Sequence, residues 1–342
     1  MKNNPSAAHD THFDLLRILA MLIVILFHYT AQFSNKVMRA DFALFISADY
    51  VRFAISLFLL MVGYFSLRSA ANDTVSAGQY LKKRILRLMP TFWLCLTITS
   101  LVLICTKTET ITIKRFLLNA ILLNRFFGVP FVDGAYWYML IIVLFTAFMT
   151  VAKLLGKPAL RSSLYAAYGA VFLLCGAVSR FVRPFPVVVS FGFFEYVNRC
   201  LVGLLIAYLF KNQKTAVSRE LFSSVLLILV LMFGEFLWCS VKDSLIDCLA
   251  VALFLPVVWF GSRLHFHQKL SAVIRSVALE SFFIYLVHQR IGFLLMKWLI
   301  DRGVNCNLAV LITILFVAVL AVIHNLLHRF LKTRARQRTA PD

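Results

Sequence analysis

Apolar residues run along this chain in long unbroken blocks, without the alternation that marks a half-buried strand. The blocks fall at about 14–32, 43–66, 88–105, 135–155, 164–180, 187–209, 221–240, 244–262, 276–299 and 306–330. Most are roughly 18–24 residues long, the length a helix needs to cross a hydrocarbon layer of about 30 Å. Inside such a layer only helices and closed barrels satisfy their own backbone polar groups, and continuous apolar runs select helices. The pattern predicts an all-α fold, a polytopic transmembrane helical bundle of about ten spans forming a single domain over residues 1–342. The stretch ITIKRFLLNAILLNRFF at 111–127 is too short and too charged to span, and reads as an interfacial or re-entrant helix. The first block contains Arg17 and is followed by no small-residue cleavage pattern, so it reads as a retained first span. The longest polar break, roughly 67–87, reads as a loop ending in YLKKRILRLMP.

Composition agrees with a lipid-embedded chain. Of the 342 residues 61% are hydrophobic and 15% charged, where soluble domains carry about 45–50% and 25%. The net charge of +20 raises the question of nucleic acid, but Lys and Arg form no single patch. They punctuate the short loops, where they orient helices and meet anionic headgroups. Membrane lipid is thus the expected partner, and nucleic acid is not. Loops on the side that would hold both chain ends, with Lys82, Lys83, Arg84, Arg87, Lys153, Arg219 and Arg275 among their cations, are richer in Lys and Arg than those opposite. Both termini are therefore expected in the cytoplasm, with 330–342 as a basic cytoplasmic tail. Seven cysteines lie mostly in apolar runs with no CxxC pair, which favours packing thiols over a disulfide framework or a zinc site; no metal is expected.

Ionisable residues inside spans are costly, so each is a candidate for function. In the first span, FDLLRILAMLIVILFHY, the strongly polar members are Asp14, Arg17 and His28. Arg17 and His28 are eleven residues apart, which places them within about 20° of one helix face and about 16 Å apart along it. Asp14 falls on the same side, three residues before Arg17. Snorkelling accounts equally for Arg17, and a hydrogen bond between helices for His28. Lys82-Lys83-Arg84-Ile85-Leu86-Arg87 stands at the mouth of the third span. Arg84 and Arg87 are i, i+3 neighbours, and paired guanidinium groups suit phosphate. Helix orientation alone accounts for Lys82 and Lys83.

These segments together resemble the membrane-bound acyltransferase-3 family. FDLLRILAMLIVILFHY is similar to that family's opening helix, with Arg, ten residues, then His. RILR at 84–87 resembles its Arg-x-x-Arg element with the following Pro and aromatic residues, and ISLFLLMVGYF at 55–65 its second-span pattern ending in Gly and an aromatic. AYWYML (135–140) and SFFIYLVH (281–288) are similar to later family segments, in the same order along the chain. One departure is Val62 before Gly63, where the family usually has Ser.

The resemblance implies an O-acyltransferase that moves an acyl group, most commonly acetyl, from acyl-CoA to a hydroxyl of a cell-surface or lipid-linked glycan. The setting implied is a bacterial inner membrane. Acetyl-CoA or another acyl-CoA would be a co-substrate, with no permanently bound cofactor. His28 would be the base, or a transiently acylated nucleophile, with Arg17 and Asp14 beside it in the same channel. Arg84 and Arg87 would hold the CoA phosphates, with His288 and Tyr285 lining the donor channel, core packing being the other reading of the last two. Asp133, Trp137, Glu195 and Arg199 are the acceptor-side candidates. An aromatic belt also explains Trp137, and a helix-stabilising pair explains Glu195 and Arg199 at i, i+4. Asp49 and Arg52 offer the same choice at i, i+3. His265, His267, His324 and His328 read as solvated or structural. The competing function is a secondary transporter or flippase, since intramembrane Arg, His and Glu also mark substrate paths.

Overall fold

The structure is a computed structural model that describes residues 10–70, 75–156, 158–181, 193–211, 219–264 and 266–338. Regular structure among the described residues is entirely helical. In chain order the helices are α1 (Thr11–Phe27), which passes through one π turn (His28–Gln32) into α2 (Phe33–Lys36), then α3 (Ala48–Ala70), α4 (Ala77–Cys105) and the short α5 (Ile113–Ala120). They continue with α6 (Trp137–Leu154), α7 (Pro158–Phe181), α8 (Phe193–Lys211), α9 (Arg219–Trp238), α10 (Val241–Phe260), α11 (Gln268–Ile300) and α12 (Cys306–Arg338).

Among the described residues seven stretches are long and apolar enough to cross a membrane: Thr11–Lys36, Ala48–Leu67, Ala77–Cys105, Gly134–Leu154, Val241–Phe260, Gln268–Ile300 and Cys306–Phe330. Shorter apolar helices, Ser163–Leu174, Tyr196–Phe210 and Ser223–Phe236, occupy α7, α8 and α9. The all-α bundle read from the hydrophobic blocks is the fold observed, with ten spans an approximate count. The stretch at 111–127 forms no span: α5, capped by the Thr112 hydroxyl, is followed by a 3₁₀ turn at Asn124–Phe127.

The polar break at 67–87 is a correction, because most of it is helix. α3 runs on to Ala70 and α4 starts at Ala77, where Ser76 and Gln79 form a reciprocal capping box. That box satisfies two orphan N–H groups and starts the helix well before the apolar run. Arg84 and Arg87 consequently stand on a helix wall. α11 likewise begins earlier than its apolar block, at Gln268. The basic C-terminal stretch continues α12 as far as Arg338.

The most extensive helix contact joins α3 and α8, and two glycines explain it. A Cβ on Gly63 would lie 1.7 Å from the Cys200 carbonyl oxygen, and one on Gly203 2.1 Å from that of Leu60. The two backbones touch directly, as small residues allow between membrane helices. α1 lies between α3 and α11, while α11 also packs on α12 and α4, and α10 on α3. The first span is therefore held from both sides by helices that carry further polar residues.

Candidate active site

The wide π turn begins at His28. Such turns often mark functional positions, because an extra residue re-aims the side chains beside it. Here His28 Nδ1 lies 2.6 Å from Nε2 of His288 on α11, and the rings stack with centroids 4.8 Å apart. His288 Nδ1 is 2.7 Å from the Tyr285 carbonyl oxygen. A carbonyl only accepts, so His288 Nδ1 carries the proton, and in the neutral ring its Nε2 is a bare acceptor. His28 must then donate from Nδ1, which leaves the lone pair of the neutral imidazole on His28 Nε2. His288 is wholly buried and His28 half-buried. A ring oriented through one nitrogen and basic at the other is equipped to move a proton.

Neighbouring contacts fix the pair. The Tyr29 hydroxyl donates to the His288 carbonyl oxygen at 2.8 Å. Its ring lies where a Cβ on Gly292 would fall, 2.3 Å from the hydroxyl oxygen, so glycine is needed for this approach. At the next rung, Gln289 Nε2 donates to Gln32 Oε1 at 2.6 Å. Below His288, Tyr285 packs against Tyr138 at 5.0 Å and Phe58 at 6.4 Å, forming an aromatic wall along α3, α6 and α11. His288 stands level with His28, and Tyr285 lies about one turn below it.

The arginines gather about two to three turns inside the opposite ends of α1 and α4. Arg84 Nη2 donates to Ser66 Oγ at 3.0 Å, and its guanidinium lies 5.6 Å from the Tyr80 ring centre. Ser66 in turn donates to the Val62 carbonyl at 2.6 Å, so the hydroxyl missing at Val62 has a counterpart one turn along α3. Arg87 is exposed and feels the like charges of Arg84 and Arg17. Three cations held close without a compensating carboxylate for each are suited to an anionic ligand. Asp14 faces Arg17 at 3.8 Å. Asp14 and Arg17 thus belong to the arginine group, and about 16 Å of helix separates Arg17 from His28.

A family profile described as an acyltransferase domain matches residues 10–325. The chain belongs to the acyltransferase-3 family. No curated protein and no solved structure gives a significant match. Family membership and the apolar helices make it a multi-pass membrane protein with acyltransferase activity.

Beyond the histidines of this acyltransferase, the loop between α4 and α6 is pinned to α11. Asp133 is completely buried; one carboxylate oxygen accepts from Ala135 N–H at 2.8 Å, the other from Arg290 N–H at 3.0 Å. Burial pushes its carboxyl up to about 6, against the pull of both N–H groups and the Arg290 charge. Glu109 bridges Arg290 at 2.6 Å and Arg115 at 2.9 Å. Both oxygens of Asp133 are therefore engaged in anchoring this loop two residues beyond His288.

Trp137 is half-buried and packs at a tilt against Tyr196, with centroids 4.5 Å apart, and Arg199 lies 5.3 Å from the Tyr196 ring centre. Arg199 itself is buried and binds Asp247 of α10, with Glu235 of α9 3.8 Å away. Asp247 also accepts from Arg52 at 2.5 Å and Ser56 at 2.5 Å. Asp49 pairs with Lys242 at 2.8 Å. The Glu195 side chain lies outside the described residues. His324 binds Glu280 at 2.7 Å, a structural link between α11 and α12. Among the described residues no group of three or more His, Cys, Asp or Glu is placed to hold a metal ion. The pairing of His28 with His288 left no short-range signal in the sequence, nor did Tyr196, Gln32 or Gln289 as neighbours of the site.

Proposed function

We propose that this family member transfers an acyl group, in the simplest case acetyl, from cytoplasmic acyl-CoA to a hydroxyl of a cell-surface or lipid-linked glycan. The observation that carries the reading is the directed chain Tyr285 carbonyl, His288, His28, which leaves His28 Nε2 as the free base. In this scheme Arg84, Arg87 and Arg17 hold the CoA phosphates at the inner mouth, and the pantetheine arm runs along the Tyr138–Tyr285 wall. The acceptor enters from the other face past Trp137 and Tyr196, whose half-buried rings suit a sugar face. His28 Nε2 takes the hydroxyl proton as the oxygen attacks the thioester carbonyl carbon. The C–S bond breaks, and the departing CoA sulfur receives that proton from the His28 imidazolium. His288 stabilises the imidazolium by accepting from its Nδ1. Both termini are cytoplasmic in this arrangement, and the membrane is a bacterial inner membrane.

The test is twofold. Purified protein should release CoA from acetyl-CoA in a His28-dependent manner, and surface glycans of a strain lacking the protein should lose an acyl group by mass spectrometry. Unchanged glycans together with His28-independent CoA release would overturn the assignment.

A further inference from the structure

A cavity of about 450 Å³ opens at the arginine end of the bundle, away from the histidine pair. It lies between the first residue of α1, the opening turns of α11 and the far end of α12, with Thr11, Ser271, Ser276, Arg275, Arg329 and Leu279 among its walls. Thr11 begins one membrane-crossing stretch and Arg329 all but ends another, so the opening is at the depth of the lipid headgroups. Arg275 and Arg329 come from different helices, and neither has an ion-pair partner among the described residues. The first turn of α11, which contributes Gln268 and Ser271 to the wall, has no side-chain cap at His267.

We infer that this cavity is a phosphate-binding site, separate from the Arg84–Arg87 group, and that its ligand is the phosphodiester of an anionic phospholipid. Two guanidinium groups with hydroxyls beside them match the hydrogen-bonding needs of one phosphate. The wall beneath them is apolar at Leu279, which suits the first carbons of an acyl chain and not the hydrated ribose of a soluble nucleotide. The site touches α1 and α11, the helices that carry His28 and His288, so a lipid seated there braces the helix pair on which the histidines meet. The inference does not depend on the acyl-transfer reading, because it concerns binding alone.

The test compares the full-length protein with Arg275→Ala/Arg329→Ala and with a control, Lys153→Ala/Arg263→Ala, which removes as much charge at the same end but away from the cavity. Native mass spectrometry after exchange into phosphatidylglycerol or phosphatidylcholine reads the retained lipid. Wild type and control should keep phosphatidylglycerol in preference to phosphatidylcholine, and the cavity variant should lose that preference by about tenfold or more. A parallel titration with 3′,5′-ADP reads soluble phosphate. If the cavity variant loses 3′,5′-ADP binding while its lipid preference is unchanged, the phosphate site stands and its lipid assignment is overturned. Equal lipid retention and equal nucleotide binding in all three proteins would overturn the site altogether. Because both arginines are exposed, melting temperatures should match, which keeps the comparison interpretable.

Discussion

His28 Nδ1 and His288 Nε2 meet at 2.6 Å across 260 residues of sequence, and the Tyr285 carbonyl decides which of them donates. The direction of that bond makes the two histidines unequal. His28→Gln removes the basic nitrogen and should cut turnover about 100- to 10,000-fold. His288→Phe keeps the ring packed on Tyr285 but removes the acceptor, and should cost about 10- to 100-fold, as loss of an orienting partner does. Both variants should bind acyl-CoA like wild type. Turnover of purified variants at saturating acetyl-CoA checks this, and equal activity in His288→Phe would remove His288 from the chemistry.

The arginine end makes a separate prediction. Arg84 is tied to Ser66 and Tyr80 whereas Arg87 is exposed, so Arg87 is the more available to an incoming phosphate. Arg87→Ala should weaken acyl-CoA binding by about 1.5–3 kcal/mol, the loss of a charged hydrogen bond. Arg87→Lys should recover only part, lacking the planar fork. Calorimetric titration of CoA into the three proteins reads the result, and unchanged affinity in Arg87→Ala would leave the arginine as a helix-orienting charge.

Gly63 and Gly203 test the helix crossing. A methyl group at either position meets a carbonyl oxygen of the facing backbone, with no flexible side chain to yield. Gly63→Ala and Gly203→Ala should each destabilise by about 1–3 kcal/mol or more through overpacking. Because they report on one contact, the double variant should cost less than the sum. Thermal melting in detergent would show it.

Asp133 gives a pH dependence of defined sign. Its carboxyl is raised from 3.8 to about 6, so the folded protein holds the proton more tightly than the unfolded chain does. The resulting stabilisation is complete below about 3.8 and is lost as pH rises through about 6. The melting temperature of wild type relative to Asp133→Asn should therefore fall between pH 4.5 and 7.5. A difference that rises over that interval would mean the carboxylate is held ionised.

The bundle was legible in the sequence because unbroken apolar blocks leave few alternatives to membrane helices. The helix starts were less so. α4 begins on polar residues, and only the Ser76–Gln79 box, a tertiary-independent but local signal, marks its true beginning. His28 and the arginines stood out by the cost of charge in lipid. Their partners did not, since the spacing within one helix cannot state which face of α11 meets α1. Arg199 shows the same limit: its contacts with Asp247 and Glu235 lie on two other helices, which spacing within one helix cannot state.

That buried network supports the last prediction. Asp247 receives both Arg52 and Arg199, and is itself almost inaccessible. Removing its charge leaves two guanidinium groups facing each other in a low-dielectric interior, and breaking a buried pair in this way typically costs about 3–5 kcal/mol. Asp247→Asn should therefore lower the melting temperature more than Arg199→Gln, which leaves Asp247 still paired with Arg52. An Arg199→Met/Asp247→Leu double variant, by contrast, keeps Arg52 near Asp243, 3.8 Å away, and should recover part of the loss by replacing a desolvated pair with apolar contacts. The diagnostic quantity is the order of melting temperatures, with Asp247→Asn lowest. If Arg199→Gln melts below Asp247→Asn, the guanidinium of Arg199 is held chiefly by Glu235, and α9 rather than α10 is the helix it secures.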